Sequence, residues 1–495
     1  MAKGTVSGVD TQDALGNVAI GGGAGAGTSF TGVGNTLIGC DAGDALTTGL
    51  CNVVIGTNAL GAGTTACLNI AIGQLALGAG TLACGGAGQA EGNIAIGESA
   101  LTAVTAGSNN IGVGLTAADA LLTGTDNISI GRLAFSASTD GADNIAIGRS
   151  ALAVSGNDGD GNIAIGLAAL GTGDVSGINN IGIGGSAGAA ITTGICNVAI
   201  GKSALAAATT GCQNIAIGDL ALGGAAVTGT NNIAVGLTAM DALTSGTDNI
   251  AIGRLAFSAS TDGADNIAIG RSALAVSGND ADCNIAIGLS ALGGADVSGL
   301  ANIGIGALAG DAITTGICNV AIGVNALGAA TTGCKNIAIG ELALGGAATT
   351  AIDNVAIGTS AADAVTSGNY NIAVGHNAYG SAQTGAQNIA FGTCTMGAVV
   401  TGDDNIAMGN TTADALTSGA CNIAIGKAAL GTGTTAAVAK KLGRKYFGIE
   451  KEKKYFKAAC ERIDKTKVIE ESHLDSLENN KSKPRVPFGS LVELG

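Results

Sequence analysis

Along residues 17–429 the apolar positions fall into one short phrase. It is Asn-Ile-Ala-Ile-Gly in its plainest form at Asn144–Gly148, and it recurs recognisably 24 times. Its asparagines stand at 17, 35, 52, 69, 93, 110 and onward to 405 and 422, and successive ones are 17 or 18 residues apart except for a gap of 24 between Asn69 and Asn93. A unit this short cannot enclose a core by itself, so it must stack on its neighbours to hide its apolar side. The pattern predicts an all-β protein: a parallel β-solenoid, or β-roll, of about 24 coils of 17–18 residues with a short α/β tail after it.

The unit Asn144–Gly161 shows what one coil contains. Ile145 and Ile147 alternate with Ala146, the two-residue period of a strand with one buried face. Gly148 holds a place that is glycine in all 24 units, as expected where the chain turns sharply or takes a positive backbone angle. Ala151-Leu152 then predicts a second short strand, so that each coil is two strands joined by two turns. About three large aliphatics per coil are expected inside, with the isoleucines of successive rungs piling into one apolar column. Asn144 at the head of the strand predicts a side-chain ladder from coil to coil. The structural ladder comprises Asn144, Ile145, Ile147 and Gly148, and again Asn266, Ile267, Ile269 and Gly270. The second set belongs to a near-copy, since the segment Leu133–Asp158 recurs at Leu255–Asp280, 122 residues on. Duplication of this kind lengthens a spacer and favours a structural role over catalysis.

Composition narrows the interior. There are 86 Gly, two Pro, no Trp and 2% aromatic residues, so Ile, Val, Leu and Ala must fill a narrow core. The glycines keep register with Asn and Ile, unlike those of a linker. Charge changes sign near residue 438: eight Lys and Arg face 28 Asp and Glu up to Val438, and 14 face nine beyond it. An acidic repeat region is poorly suited to nucleic acid phosphates, so no nucleic acid partner is expected for it. No apolar run is long enough to span a bilayer, and no apolar signal-peptide core follows Met1-Ala2-Lys3-Gly4, so export by that route is not expected.

Twelve cysteines mostly precede the Asn by one or two positions. They read as buried thiol fillers, with disulfides between adjacent coils (Cys51/Cys67, Cys196/Cys212, Cys318/Cys334) as the alternative and a metal site as the least favoured. The loop Ser155–Asn162 carries Asp158 and Asp160 but no distal Glu, and reads as a solvated turn. His376 and His473 form no triad with a Ser or Cys. No catalytic residue and no metal site is expected, and the chain is read as not an enzyme.

The phrase NIAIGxxAL, followed by Thr-Thr-Gly or Thr-Ser-Gly, resembles the repeats of phage and bacterial tail-fibre proteins. Over the strand and first turn it is also similar to the head repeats of trimeric autotransporter adhesins. The resemblance implies a homotrimeric fibre at a virion or extracellular surface, acting as spacer, adhesin or stalk, with a host-surface receptor as a possible partner. The organisation expected is an N-terminal cap over 1–16, the solenoid over 17–429 and a separate segment over 430–495.

That segment runs LGTGTTAAVAKKLGRKYFGIEKEKKYFKAACERI over Leu430–Ile463. Its pattern predicts a helix over 434–442, a strand over 444–449 and a helix over 451–463. The segment resembles the final part of the DNA methyltransferases that modify amino groups of adenine or cytosine. The resemblance implies that Gly431 and Gly433 border S-adenosylmethionine and that Glu450 holds its ribose. The family's D/S/N-PPY motif has no counterpart, since the prolines are Pro484 and Pro487 alone. The alternative function is therefore a methyltransferase-related protein whose tail binds cofactor while the catalytic half is missing.

Overall fold

The computed structural model describes residues 15–27, 30–84, 90–154, 159–276, 281–381, 383–414 and 416–429, together with Lys457, Cys460, Glu461, Asp464 and Lys465. The chain forms two compact units, residues 1–265 and 266–495. The first carries strands β1 (Val18–Ile20) to β14 (Ile250–Ile252), and the second β15 (Ile267–Ile269) to β24 (Ile423–Ile425). Each unit is a parallel β-solenoid. Within a unit every strand pairs with the next in parallel and in register, so that β7 (Ile128–Ile130) sets Ile128 against Ile145 and Ile130 against Ile147 of β8 (Ile145–Ile147). The wide coil keeps this register: Ile70 still faces Ile94, because the Ala90 N–H donates to the Ala83 carbonyl at 2.9 Å and closes the coil across the insertion. A disulfide joins Cys67 to Cys84 at the same place.

Among the described residues each coil contains one strand of three residues, not two strands. Ala151 and Leu152 lie in a tight turn, in which Ser150 and Leu152 take φ of 56° and 51°. The left-handed region costs a non-glycine residue roughly 1–2 kcal/mol, and here the stacked rungs hold it in place. The Ser150 N–H donates to the Arg132 carbonyl at 3.0 Å, and the Leu152 N–H to the Ala169 carbonyl at 2.9 Å.

The strand also faces the other way from expectation. Ala146 is fully buried, whereas Ile145 and Ile147 lie on the outside, partly exposed. The interior of this coil is Asn144, Ala146, Ala151 and Leu152, one large aliphatic in place of three. Its width explains the choice. At Gly112, Gly182 and Gly304, which replace the central alanine, a single methyl would come within 2.8–2.9 Å of a carbon of Leu101, Leu170 or Leu292. A cavity too small for a methyl there cannot admit a β-branched side chain. Where a larger residue does occupy the strand centre, as at Leu37, the turn gives up its side chain: a methyl on Gly25 or Gly43 would lie 2.9 or 3.0 Å from Leu37.

Candidate functional site

The asparagine ladder fixes the head of every strand. Asn144 donates its backbone N–H to Asn127 Oδ1 at 3.0 Å and its Nδ2 to the Gly159 carbonyl at 2.8 Å, while its own Oδ1 accepts the Asn162 N–H at 2.9 Å. One amide thus closes its own coil and joins two neighbours, which requires a side chain with both donors and an acceptor. Asn266 accepts the Asn284 N–H at 3.0 Å and donates to the Ala281 carbonyl in the same way. The ladder's inner members are buried and hold the scaffold. Gly148, like Gly270, has a positive φ, and a methyl there would meet the Gly166 carbonyl oxygen at 2.5 Å. The stacked glycines let rungs approach closely at the end of the strand.

What the ladder presents outward is apolar. In the first unit 27 of the 28 outward strand positions are Ile or Val, Thr36 being the exception, and in the second all 20 are Ile, Val, Phe391 or Met408, so polar residues barely interrupt the face. Ile130 is 38% exposed even with neighbours above and below. Fourteen rungs at about 4.8 Å, each about 10 Å wide, give the first unit a footprint of roughly 650 Å², already beyond the largest apolar patch of most monomers.

Two columns flank this face. The residue just before each Asn forms a leading edge and the residue just after each strand-ending Gly a trailing edge. Leading-edge residues take positive φ, 57° at Asp143 and 57° at Cys196, and point to solvent. Cys51, Cys196, Cys283, Cys318 and Cys421 share this position and are exposed, so these thiols are not core fillers. Cys196, Cys212, Cys318 and Cys334 are free, and Cys67 pairs with Cys84 instead of Cys51. Asp160 is a turn residue whose carboxylate accepts the Ala142 N–H at 2.7 Å; Asp158 lies outside the described residues. Among the described residues no group of three or more His, Cys, Asp or Glu could hold a metal ion, and no helix is long and apolar enough to cross a membrane.

Two features of the interior carry no signal in the repeat itself. Asp241, Asp311 and Asp363 lean on Gly224, Gly294 and Gly346 of the preceding rung, where any side chain would collide with the carboxylate. Each of these glycines belongs to an 18-residue coil, so the aspartate clasps the place where an extra residue is taken up. Burial raises the pKa of all three, and of Asp119, above the ordinary carboxylate value. In all four, Oδ1 is buried without a hydrogen-bond partner. Tyr379 replaces the core leucine of its coil. Its hydroxyl donates to the Gly385 carbonyl at 2.9 Å and accepts Asn388 Nδ2 at 3.0 Å, and burial raises its pKa.

Gly431, Gly433 and Glu450 lie outside the described residues, as do the helix expected over 434–442 and the strand over 444–449. Lys457, Cys460 and Glu461, within the span expected for the second helix, are helical. Residues 430–461 match the DNA methylase family. Over 62 residues the chain is 44% identical to the Type II methyltransferase M.HinfI of Haemophilus influenzae, an alignment covering 12% of this chain and 17% of that protein. The chain thus spans less than a fifth of the relative's length. It combines a long β-solenoid repeat region with a short segment similar to a DNA methylase.

Proposed function

We propose that the protein is a structural, non-enzymatic fibre segment that self-associates, as a homotrimer, through its outward isoleucine columns. It serves as an extended spacer and contact surface at a virion or cell exterior. The observation that carries this reading is the almost continuous apolar face of each solenoid unit, which an isolated chain would leave in water. Burying it is favourable by about 25 cal/mol per Å², and the footprint of one unit approaches the roughly 800 Å² per partner of a stable interface. The resemblance of the repeat to tail-fibre and adhesin repeats points the same way. Sedimentation equilibrium of Ile130→Lys/Ile147→Lys/Ile165→Lys tests it. These side chains are outside the core, so the variant is expected to fold and to sediment as a single chain while the wild type sediments as an assembly. A wild-type chain that is itself monomeric contradicts the proposal.

The similarity of residues 430–461 to DNA methylases supports a second reading, in which the tail binds S-adenosylmethionine through Gly431, Gly433 and Glu450. Bound, that cofactor would supply a methyl group. The chain has no D/S/N-PPY sequence to direct it to a base, so on this reading another chain supplies the catalytic half.

A further inference from the structure

The repeat runs on past Ala429. Seven of the eight residues of Ala59–Ala66, ALGAGTTA, recur in order at Ala429–Ala436, ALGTGTTA, and both stretches begin seven residues after a ladder asparagine, Asn52 and Asn422. Counted on by the 17 residues that separate Asn52 from Asn69, Asn422 leads to Ala439 and the strand-ending Gly426 to Gly443. Residues 439–443 therefore read Ala-Lys-Lys-Leu-Gly where other rungs read Asn-Ile-Ala-Ile-Gly. The last coil is also entered with the ordinary geometry. The Ala428 N–H donates to the Asn410 carbonyl at 3.0 Å, and the Ala413 N–H to the Ala429 carbonyl at 2.7 Å.

The last described strand calls for one more rung. Among the described residues β24 pairs on one side only, with β23 (Ile406–Met408). Asn388 Oδ1 accepts the Asn405 N–H at 2.9 Å and Asn405 Oδ1 the Asn422 N–H at 3.0 Å, but Asn422 Oδ1 is buried without a hydrogen-bond partner. A buried acceptor left without a donor is costly. Asn422 is 1% exposed and Ala424 2%, whereas Ile423 and Ile425 are exposed. The end of the rod is thus covered over its interior and open over its isoleucine face.

We infer that residues 430–438 complete the last coil and that residues 439–443 lie on β24 as a terminal rung that closes the rod. In the register of the other rungs, the Val438, Ala439 and Gly443 N–H groups donate to the Ala420 carbonyl, Asn422 Oδ1 and the Ile425 carbonyl. Cys421, Asn422 and Gly426 donate in the same way to the Asp403 carbonyl, Asn405 Oδ1 and the Met408 carbonyl. Two residues make this rung the last. Ala439 takes the ladder position without an acceptor of its own, so the chain of amide bonds ends with no group unmet. Lys441 falls at the inward position, where no described strand carries a charge. A lysine fits there only with one side of the rung open, its ammonium reaching past the end into water, and a charge so placed keeps a further strand from adding to the edge.

Gly431 and Gly433 then belong to the rod, at the places of Gly61 and Gly63. A methyl on Gly63 would press on Ala66 and Leu60 at 3.2–3.3 Å, and their counterparts, Ala436 and Leu430, are the same residue types. Closing the coil and bordering S-adenosylmethionine are exclusive uses of these glycines. The terminal rung is therefore independent of the self-association proposed above and competes with the cofactor reading.

Hydrogen–deuterium exchange of the full-length chain, read by mass spectrometry, tests this. In the wild type the amides of residues 438–443 are expected to exchange at least about 10-fold more slowly than those of a free chain. Ala439→Pro removes the N–H offered to Asn422, and Asn422→Ala removes the acceptor. Each is expected to abolish that protection while Asn319–Gly323, deep in the rod, keeps its own. A helix over 434–442 would also exchange slowly but would not respond to Asn422→Ala. If residues 438–443 exchange as a free chain in the wild type, or if their protection survives either substitution, the terminal rung is wrong. Protection of residues 430–443 that arises only on addition of S-adenosylmethionine would overturn it in favour of the cofactor reading.

Discussion

One asparagine per coil carries a disproportionate share of the order in this molecule. Because Asn144 satisfies a carbonyl of its own coil and an amide of the next, its replacement by Ala strands the Gly159 carbonyl and the Asn162 N–H in a buried site. Each orphaned group costs about 1–3 kcal/mol. Asn144→Ala is therefore expected to lower unfolding stability by about 2–4 kcal/mol in urea titrations, whereas Thr125→Ala, half-buried on the outer turn two coils earlier, should change it by less than about 1 kcal/mol. The ladder could be read from the sequence because one polar residue recurred before an apolar strand with nothing else to explain it. The left-handed residues could not. Leu152 and Phe135 adopt φ of 51° and 53°, a conformation that a large side chain disfavours intrinsically. Only the stacked hydrogen bonds of neighbouring rungs impose it.

At the scale of the coil, the alternation Ile-Ala-Ile established a strand and its two faces without saying which face is inside. Apolar content suggests the isoleucines. Volume decides against the isoleucines, since the short left-handed turn brings Leu101 or Leu170 so close to the strand centre that a methyl on Gly112 or Gly182 would already collide. The aspartate clasps belong to this scale too. Their carboxyls are held above the ordinary value by burial, opposed at Asp241, Asp311 and Asp363 by the N–H of the glycine one rung back. A raised folded-state pKa means that the contribution to stability is fully present below the unfolded value and is lost as pH rises through the folded one. The solenoid is thus expected to gain stability on mild acidification from neutral pH. In Asp241→Asn/Asp311→Asn/Asp363→Asn, the neutral-pH melting temperature should rise and part of that pH dependence should vanish. An unchanged slope of melting temperature against pH between neutral and about pH 4 would show that these carboxylates are not the cause.

For the molecule as a whole, the period revealed a stacked β architecture because a repeat of 17–18 residues admits little else. The edges of the isoleucine face were visible in the sequence as charged residues, but their place as borders was not. It depends on knowing that the strand turns Ile130 and Ile147 outward, which makes Asp126 and Arg132 the borders of one surface. The segment from residue 444 onward was legible by resemblance alone, since too few residues outside the repeat are arranged by any period.

The account depends on the isoleucine face being covered by other copies of the chain, and hydroxyl-radical footprinting of the wild-type protein measures that directly. Ile130 and Leu122 are both 38% exposed in the single chain, one on the strand face and the other on the turn that closes the coil. Assembly through the isoleucines predicts strong protection of Ile130, close to that of buried Leu152, with Leu122 labelled freely. Equal labelling of Ile130 and Leu122 would contradict it.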